Sequence, residues 1–238
     1  MLLAIVWLFP TEFTACNKES HWCTIAFLAT ESAGKIGTVI LVAVTCLFYT
    51  IRIESKSQKV KVFLKSFLAI GLLLSGIAYL NEHVTKVALG IPRPSHLYIA
   101  EHSIPVIKID SIYKVGEQER HKLLMNLIQS DTLIFNKMDI KVLDHWVEEA
   151  GYSFPSGHSF NAFLLATILS FSLYHSRADF ARRLFVLPLC WALLVAVSRV
   201  AIGAHSALDV SFGAALGLLI GQLFLYIDYS RAIITQRE

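Results

Sequence analysis

The 238-residue chain is predicted to be all-α: a polytopic membrane helix bundle of about six transmembrane helices, with a small helical extracytoplasmic insert. Three observations predict this. Hydrophobic residues make up 55% of the chain and charged residues 16%, against about 25% charged in soluble domains. Uncharged apolar runs recur over 36–51, 66–81, 159–174, 184–198 and 210–227. Lysine and arginine gather in alternate connections, as they do in the cytoplasmic loops of membrane proteins.

Residues 1–9 are apolar and end at Pro10. They are too short to span alone and read as a clipped or tilted first helix. They lack the basic leader and small-residue cleavage site of a secretory signal. The following polar loop holds Cys16 and Cys23 on the side expected to be oxidising, so a disulfide between them is a hypothesis from compartment alone. Cys46 and Cys190 lie inside apolar runs and read as core thiols. With no Cys-x-x-Cys pair and no Cys/His cluster, zinc is not expected.

The run 36–51 leads to a loop, 52–65, that carries Arg52, Lys56, Lys59, Lys61 and Lys65 against Glu54. That excess marks the cytoplasmic side. The run 66–81 then travels outward and reaches spanning length only by taking in Lys86. An insert of about 95–153 follows, holding 15 of the 39 charged residues (21 + 18). Within it, Gly116–Gln129 and Asp139–Ala150 have apolar residues at helical spacing. They read as two amphipathic helices that cap the mouth of a site or pack on each other. The run 159–174 re-enters after Pro155, and the loop 175–183 carries Arg177, Arg182 and Arg183 against Asp179. The run 184–198, the fifth span when 1–9 is counted as the first, leaves at Ser198, and the sixth span begins at His205 and ends in a tail with Arg231 and Arg237. Both termini are thus expected inside and four helix ends outside, in one domain covering 1–238.

Polar residues interrupt this chain in three clusters. Lys86 and Arg93 are seven apart, nearly two helical turns, which predicts one shared helical face ended by Pro92 and Pro94. An ammonium and a planar guanidinium suit phosphate oxygens; long cations snorkelling to the interface would look the same. Pro155-Ser156-Gly157-His158 is expected to open a helix, with Pro155 in its first turn. Free amides and the helix dipole favour an anion there. The Ser156 hydroxyl can donate, Gly157 lets the backbone come close, and His158 would stand over a leaving oxygen. A plain N-cap with an exposed histidine is the simpler alternative. In the third cluster, Ser198-Arg199 precedes His205 and Asp209, which are four apart. A carboxylate on one ring nitrogen fixes the tautomer and makes the other nitrogen basic. Such a nitrogen can attack phosphorus while Arg199 neutralises the equatorial oxygens. A structural His–Asp pair beside a snorkelling arginine is the alternative.

Together the clusters resemble the signature of the type 2 phosphatidic acid phosphatase family: Lys86-(x6)-Arg93-Pro94, Pro155-Ser156-Gly157-His158, and Ser198-Arg199-(x5)-His205-(x3)-Asp209. The insert, ending in His145-Trp146 and in Glu149 before Pro155, is similar to that of the bacterial phosphatidylglycerophosphatase branch. The likeness covers the chain from about residue 34. It implies that His205 is the nucleophile, oriented by Asp209, and that His158 is the general acid. Lys86, Arg93, Ser156, Gly157 and Arg199 would bind the phosphate. Glu149 is a weaker candidate, for the head group or for proton transfer. No metal and no cofactor are implied, nor is an obligate protein partner. The implied substrates are lipid phosphates: phosphatidylglycerophosphate foremost, then phosphatidic acid and undecaprenyl pyrophosphate. The implied location is the bacterial inner membrane with the site facing the periplasm.

A net charge of +3 without an aromatic-basic patch argues against nucleic acid. A lipid phosphotransferase would share every catalytic residue. A vanadium haloperoxidase would share the anion pocket but is soluble. A transporter would not need an activated imidazole.

Overall fold

The computed structural model describes residues 7, 16, 18–51, 53–130, 134–176 and 179–231, with side chains followed to Asp228. The regular elements among the described residues are helices, with no strand among them. The expected helix over 1–9 lies outside the described residues except for Trp7. Its indole donates to Ser211 Oγ at 3.3 Å.

Helix α1 (His21–Ser32) falls where only a polar loop was expected. Helix α2 (Lys35–Thr50) follows at a 59° bend. Helix α3 (Lys56–Leu80) runs through a π-helical turn (Asn81–Thr85) into α4 (Lys86–Leu89). This 34-residue stretch is about 50 Å long at 1.5 Å per residue, well beyond the ~30 Å apolar thickness of a bilayer. Its end therefore stands clear of the apolar layer. Leu64, Leu68 and Leu72 lie exposed along it, as a lipid-facing row requires.

The insert is more helical than its two amphipathic segments predicted. It holds α5 (Pro94–His102), α6 (Ile109–Tyr113), α7 (Glu117–Ser130) and α8 (Ile140–Glu148). The two predicted helices are α7 and α8, and their apolar faces meet in one core. Leu124, Leu127, Val142, Leu143 and Trp146 are buried there, together with Ile202 and Ala204 from the far end of the chain. Arg120 locks this core. It lies over the rings of Tyr113 and Tyr152 and donates to the carbonyls of Ile112, Val115 and Ala150.

Helices α9 (Gly157–Tyr174), α11 (Leu187–Ala201) and α12 (Ala207–Arg231) complete the bundle, with the short α10 (Asp179–Arg183) at its basic end. Helix α9 packs against α12, α11 and α2. That surrounded position explains its polar content: a helix screened from lipid can carry Asn161, Ser170 and Thr167. Its contact with α12 is close. A Cβ at Gly213 would sit 2.4 Å from Ser156 O, and one at Gly217 would sit 2.4 Å from Phe160 O. Small residues four apart bring helix backbones together in this way in membranes.

Length and composition mark Lys56–Leu89, Asp179–Ala201 and Ala207–Asp228 as able to cross a membrane, with α1 and α2 as a fourth if the bent pair is one span. The described residues therefore yield fewer spans than the six expected. Cys16 and Cys23 are joined in a disulfide. Cys46 is buried as expected, whereas Cys190 is exposed on the outer surface of α11. An apolar run predicts a lipid-facing position as readily as a core one, and Cys190 lies outside the core.

Candidate active site

Four helix ends deliver the polar clusters to one place. The end of α3–α4 brings Lys86, the start of α9 brings His158, the end of α11 brings Arg199, and the start of α12 brings Asp209.

Lys86 and Arg93 do not share a helical face. The helix stops at Leu89, because Gly90 adopts a left-handed conformation with φ 60° that favours glycine. Arg93 then lies in extended backbone as the residue capping α5. Lys86 is buried and ion-pairs with Glu82 at 2.5 Å, one helical turn back. The π turn between α3 and α4 shifts the helical phase, and Asn81 at its start donates to Pro155 O at 3.3 Å.

The insert holds Arg93 in place. Its backbone N–H donates to Tyr113 Oη at 3.0 Å, and that hydroxyl lies 2.7 Å from His96 Nδ1. His96 Nε2 in turn faces Trp146 O at 3.3 Å. Burial first, then Arg93, drives the His96 pKa down to about 3, so the ring is neutral. The side chain of Arg93 donates from Nε to Gly151 O at 3.0 Å. From Nη1 it reaches Ala204 O at 3.1 Å, Glu149 Oε2 at 2.6 Å and His205 Nε2 at 3.2 Å.

Pro155 precedes the helix it was expected to open. Ser156 is the N-cap of α9, and its hydroxyl accepts from Ser159 N at 3.4 Å. Its backbone N–H donates to Asp209 O at 3.1 Å, which ties α9 to α12. A Cβ at Gly157 would meet Asn81 Nδ2 at 3.9 Å, an ordinary contact. Packing within the protein alone therefore does not demand glycine there.

Asp209 and Ser206 cap α12 reciprocally. Ser206 N donates to Asp209 Oδ2 at 2.8 Å, and Asp209 N donates to Ser206 Oγ at 3.2 Å. This is the capping-box arrangement with aspartate in place of glutamate. It turns the carboxylate toward His205, whose Nδ1 lies 3.5 Å from Oδ2. Ser153 lies between them. Burial first, then Arg93, drives the pKa of His205 down to about 3, although Asp209 pulls it up.

At the centre sits Glu149. Its carboxylate ion-pairs with Arg93 and Arg199 and lies 3.4 Å from His145 Nε2 and 3.7 Å from His158 Nδ1. Burial raises the pKa of this group, but Arg199 first and then Arg93 outweigh it and hold the carboxyl well below the usual range. Glu149 was only an accessory candidate in the sequence; here it is the anion that both guanidiniums and His158 face. Among the described residues, the Nε–H of buried Arg199 has no hydrogen-bond partner.

Sequence reasoning missed His145 and Ser153 as members of this group. His145 Nε2 accepts from Arg199 Nη1 at 2.6 Å, and its Nδ1 lies 3.8 Å from Glu31 on α1. The available signal was its spacing: His145 is one helical turn before Glu149. Among the described residues, no group of three or more His, Cys, Asp or Glu side chains could hold a metal ion.

Two guanidiniums and two imidazoles around one carboxylate, with His205 against one of the guanidiniums, at one end of a bundle of membrane-spanning helices, define a membrane protein with a buried charged site. The sequence profile of the PAP2 superfamily matches residues 64–232, and the chain belongs to that superfamily. It is similar to phosphatidylglycerophosphatase B of Haemophilus influenzae, 26% identical over 229 residues, covering 93% of this chain and 87% of that protein. Phosphatidylglycerophosphatase B of Bacillus subtilis is 27% identical over 177 residues, covering 64% of this chain and 85% of that protein. The Escherichia coli K12 protein of the same name is 29% identical over 120 residues, covering 50% and 43%.

Proposed function

We propose that this protein is an integral membrane lipid phosphatase that removes the terminal phosphate of phosphatidylglycerophosphate, and of phosphatidic acid and undecaprenyl pyrophosphate, through a phosphohistidine on His205. One observation carries the reading. Arg93 Nη1 touches both His205 Nε2, at 3.2 Å, and the carboxylate of Glu149, at 2.6 Å. An anion held where Glu149 now lies is therefore within reach of an unprotonated imidazole nitrogen.

The phosphoryl group takes the place of that carboxylate, held by Arg93, by Arg199 through its free Nε, and by the Gly157 amide. Ser156 accepts from Ser159, so its own hydroxyl proton remains to donate to a phosphate oxygen. Lys86 adds positive potential nearby. The lone pair on Nε2 forms the N–P bond as the P–O bond to the lipid breaks. His158 gives its proton to the departing oxygen. Water then cleaves the phosphohistidine. The cationic side chains carry the developing charge, so metal is not required. The three relatives named phosphatidylglycerophosphatase B support the substrate class. The basic connections 52–65 and 175–183 support a cytoplasmic position for the opposite end of the bundle, with the site then facing the periplasm of a bacterial inner membrane. The whole chain is one domain, with 95–153 as its insert.

The test is purified protein in detergent with a panel of lipid phosphates, assayed with and without chelator. Phosphate release that survives chelation and is lost in His205→Ala supports the reading. A strict metal requirement, or transfer of label to a second lipid without free phosphate, contradicts it.

A further inference from the structure

We propose that Ser153 is the positioning residue of His205: its hydroxyl carries the hydrogen bond between the imidazole and Asp209. This rests on the phosphatase reading above and deepens it.

The direct His205–Asp209 contact is too long to act alone. Nδ1 and Oδ2 are 3.5 Å apart, whereas good N–H···O bonds lie between about 2.7 and 3.2 Å. Ser153 Oγ fills the gap, 3.2 Å from Nδ1 and 2.5 Å from Oδ2. The serine is fully buried, and its backbone N–H is anchored on Ile91 O at 2.8 Å.

The direction of each bond follows from the inventory of donors. An ionised carboxylate only accepts, and Asp209 Oδ2 already accepts from Ser206 N. The serine proton must therefore point at Oδ2. Its oxygen is then free to accept, and the donor is Nδ1–H of His205. The other edge of the ring gives the same answer independently. Arg93 can only donate, and its Nη1 lies 3.2 Å from Nε2. Both edges require a proton on Nδ1 and a bare lone pair on Nε2, the tautomer a nucleophile needs.

When Nε2 bonds to phosphorus, the electron pair of the broken P–O bond leaves on the lipid oxygen, which takes its proton from His158. The phosphorylated ring of His205 is then cationic. Asp209 reaches that charge through Ser153. Without the hydroxyl, the ring loses its hold on the carboxylate and the Nε2–H tautomer gains ground.

The experiment uses the full chain in detergent with phosphatidylglycerophosphate, comparing wild type, Ser153→Ala, Ser153→Thr and His205→Ala. Loss of an outer partner of this kind lowers activity by about 10- to 100-fold. Ser153→Ala should lose that factor in kcat with KM within about twofold of wild type, and Ser153→Thr, which keeps the hydroxyl, should recover most of it. Nitrogen-15 histidine spectra of the wild type should show His205 protonated on Nδ1. Wild-type kcat in Ser153→Ala, a loss confined to KM, or a wild-type ring protonated on Nε2 would overturn the proposal. If Ser153→Ala does not fold, the wild-type spectrum decides alone. A dead His205→Ala beside a fully active Ser153→Ala retires Ser153 only; an active His205→Ala, or an inactive wild type, retires the phosphatase reading itself.

Discussion

Arg93 donates to Nε2 of His205 at 3.2 Å, so in the proposed reaction the cation assigned to the substrate also covers the lone pair assigned to phosphorus. In that reaction phosphate would have to draw the guanidinium from Nε2 before attack. Arg93→Lys keeps the charge but not the planar fork. It should lower kcat/KM by about 10²–10³-fold, the range for losing one transition-state donor. Steady-state phosphate release measures this, and near-wild-type kcat/KM in the lysine variant would show that the fork is not used.

Glu149 is an internal anion in the place assigned to phosphate, paired with Arg93 and Arg199 and 18% exposed. Removing one partner of a buried pair typically destabilises by about 3–5 kcal/mol, and here two guanidiniums lose their counter-charge. Glu149→Gln should therefore unfold at lower temperature without ligand. It should also gain more from added orthophosphate or vanadate than wild type does, since the added anion replaces the lost carboxylate. Thermal shift with and without anion measures both effects. An anion response weaker than that of wild type would mean that Glu149 holds the phosphate site open and does not occupy it.

The motif residues of the third cluster stay together because they come from one short stretch: Arg199 ends α11, and the capped start of α12 turns Asp209 toward His205. Geometry between clusters was not readable. Lys86 and Arg93 looked like neighbours on a helix, and one left-handed glycine at 90 undid that. Glu149 looked like a solvated acid because nothing in its own segment announces Arg93 and Arg199, which come from 56 and 50 residues away. Helix α1 was hidden by its polar flanks, and it supplies Glu31 to His145. Helix α9 looked like any other span; its neighbours, and not lipid, set its composition.

The α9–α12 contact ties packing to the site, and its two close glycines should separate the effects. Gly217→Ala drives a methyl to 2.4 Å from Phe160 O, inside the bundle. Overpacking of this sort costs about 1–3 kcal/mol, so its Tm should fall while kcat per folded molecule changes little. Gly213→Ala places the methyl 2.4 Å from Ser156 O, and Ser156 is bonded through its N–H to Asp209 O. That variant should lose activity beyond its loss of stability. Thermal unfolding and kcat on the same preparations make the comparison, and equal losses of activity in the two variants would remove the distinction.

Stability should also fall on the acid side in a way that His205 and His96 explain. Both rings are buried with pKa values near 3, while an unfolded histidine titrates near about 6.5. Between those values the unfolded chain binds protons that the folded protein refuses, so acid favours unfolding. The stability these neutral rings confer is complete above about pH 6.5 and is lost as pH falls toward 3. Glu149 acts in the same direction further down: its depressed pKa means an ionised carboxylate that stabilises above the normal glutamate range and fails as pH drops through its folded value. The Tm should therefore be level from about pH 7 to 8 and decline below about 6.5. His205→Gln removes one refusing ring, so its decline between pH 6.5 and 5 should be shallower than that of wild type. Identical slopes would mean that the folded protein accepts a proton on His205, and Nε2 would then be blocked in mild acid; the kcat/KM profile over the same range should in that case fall as pH drops.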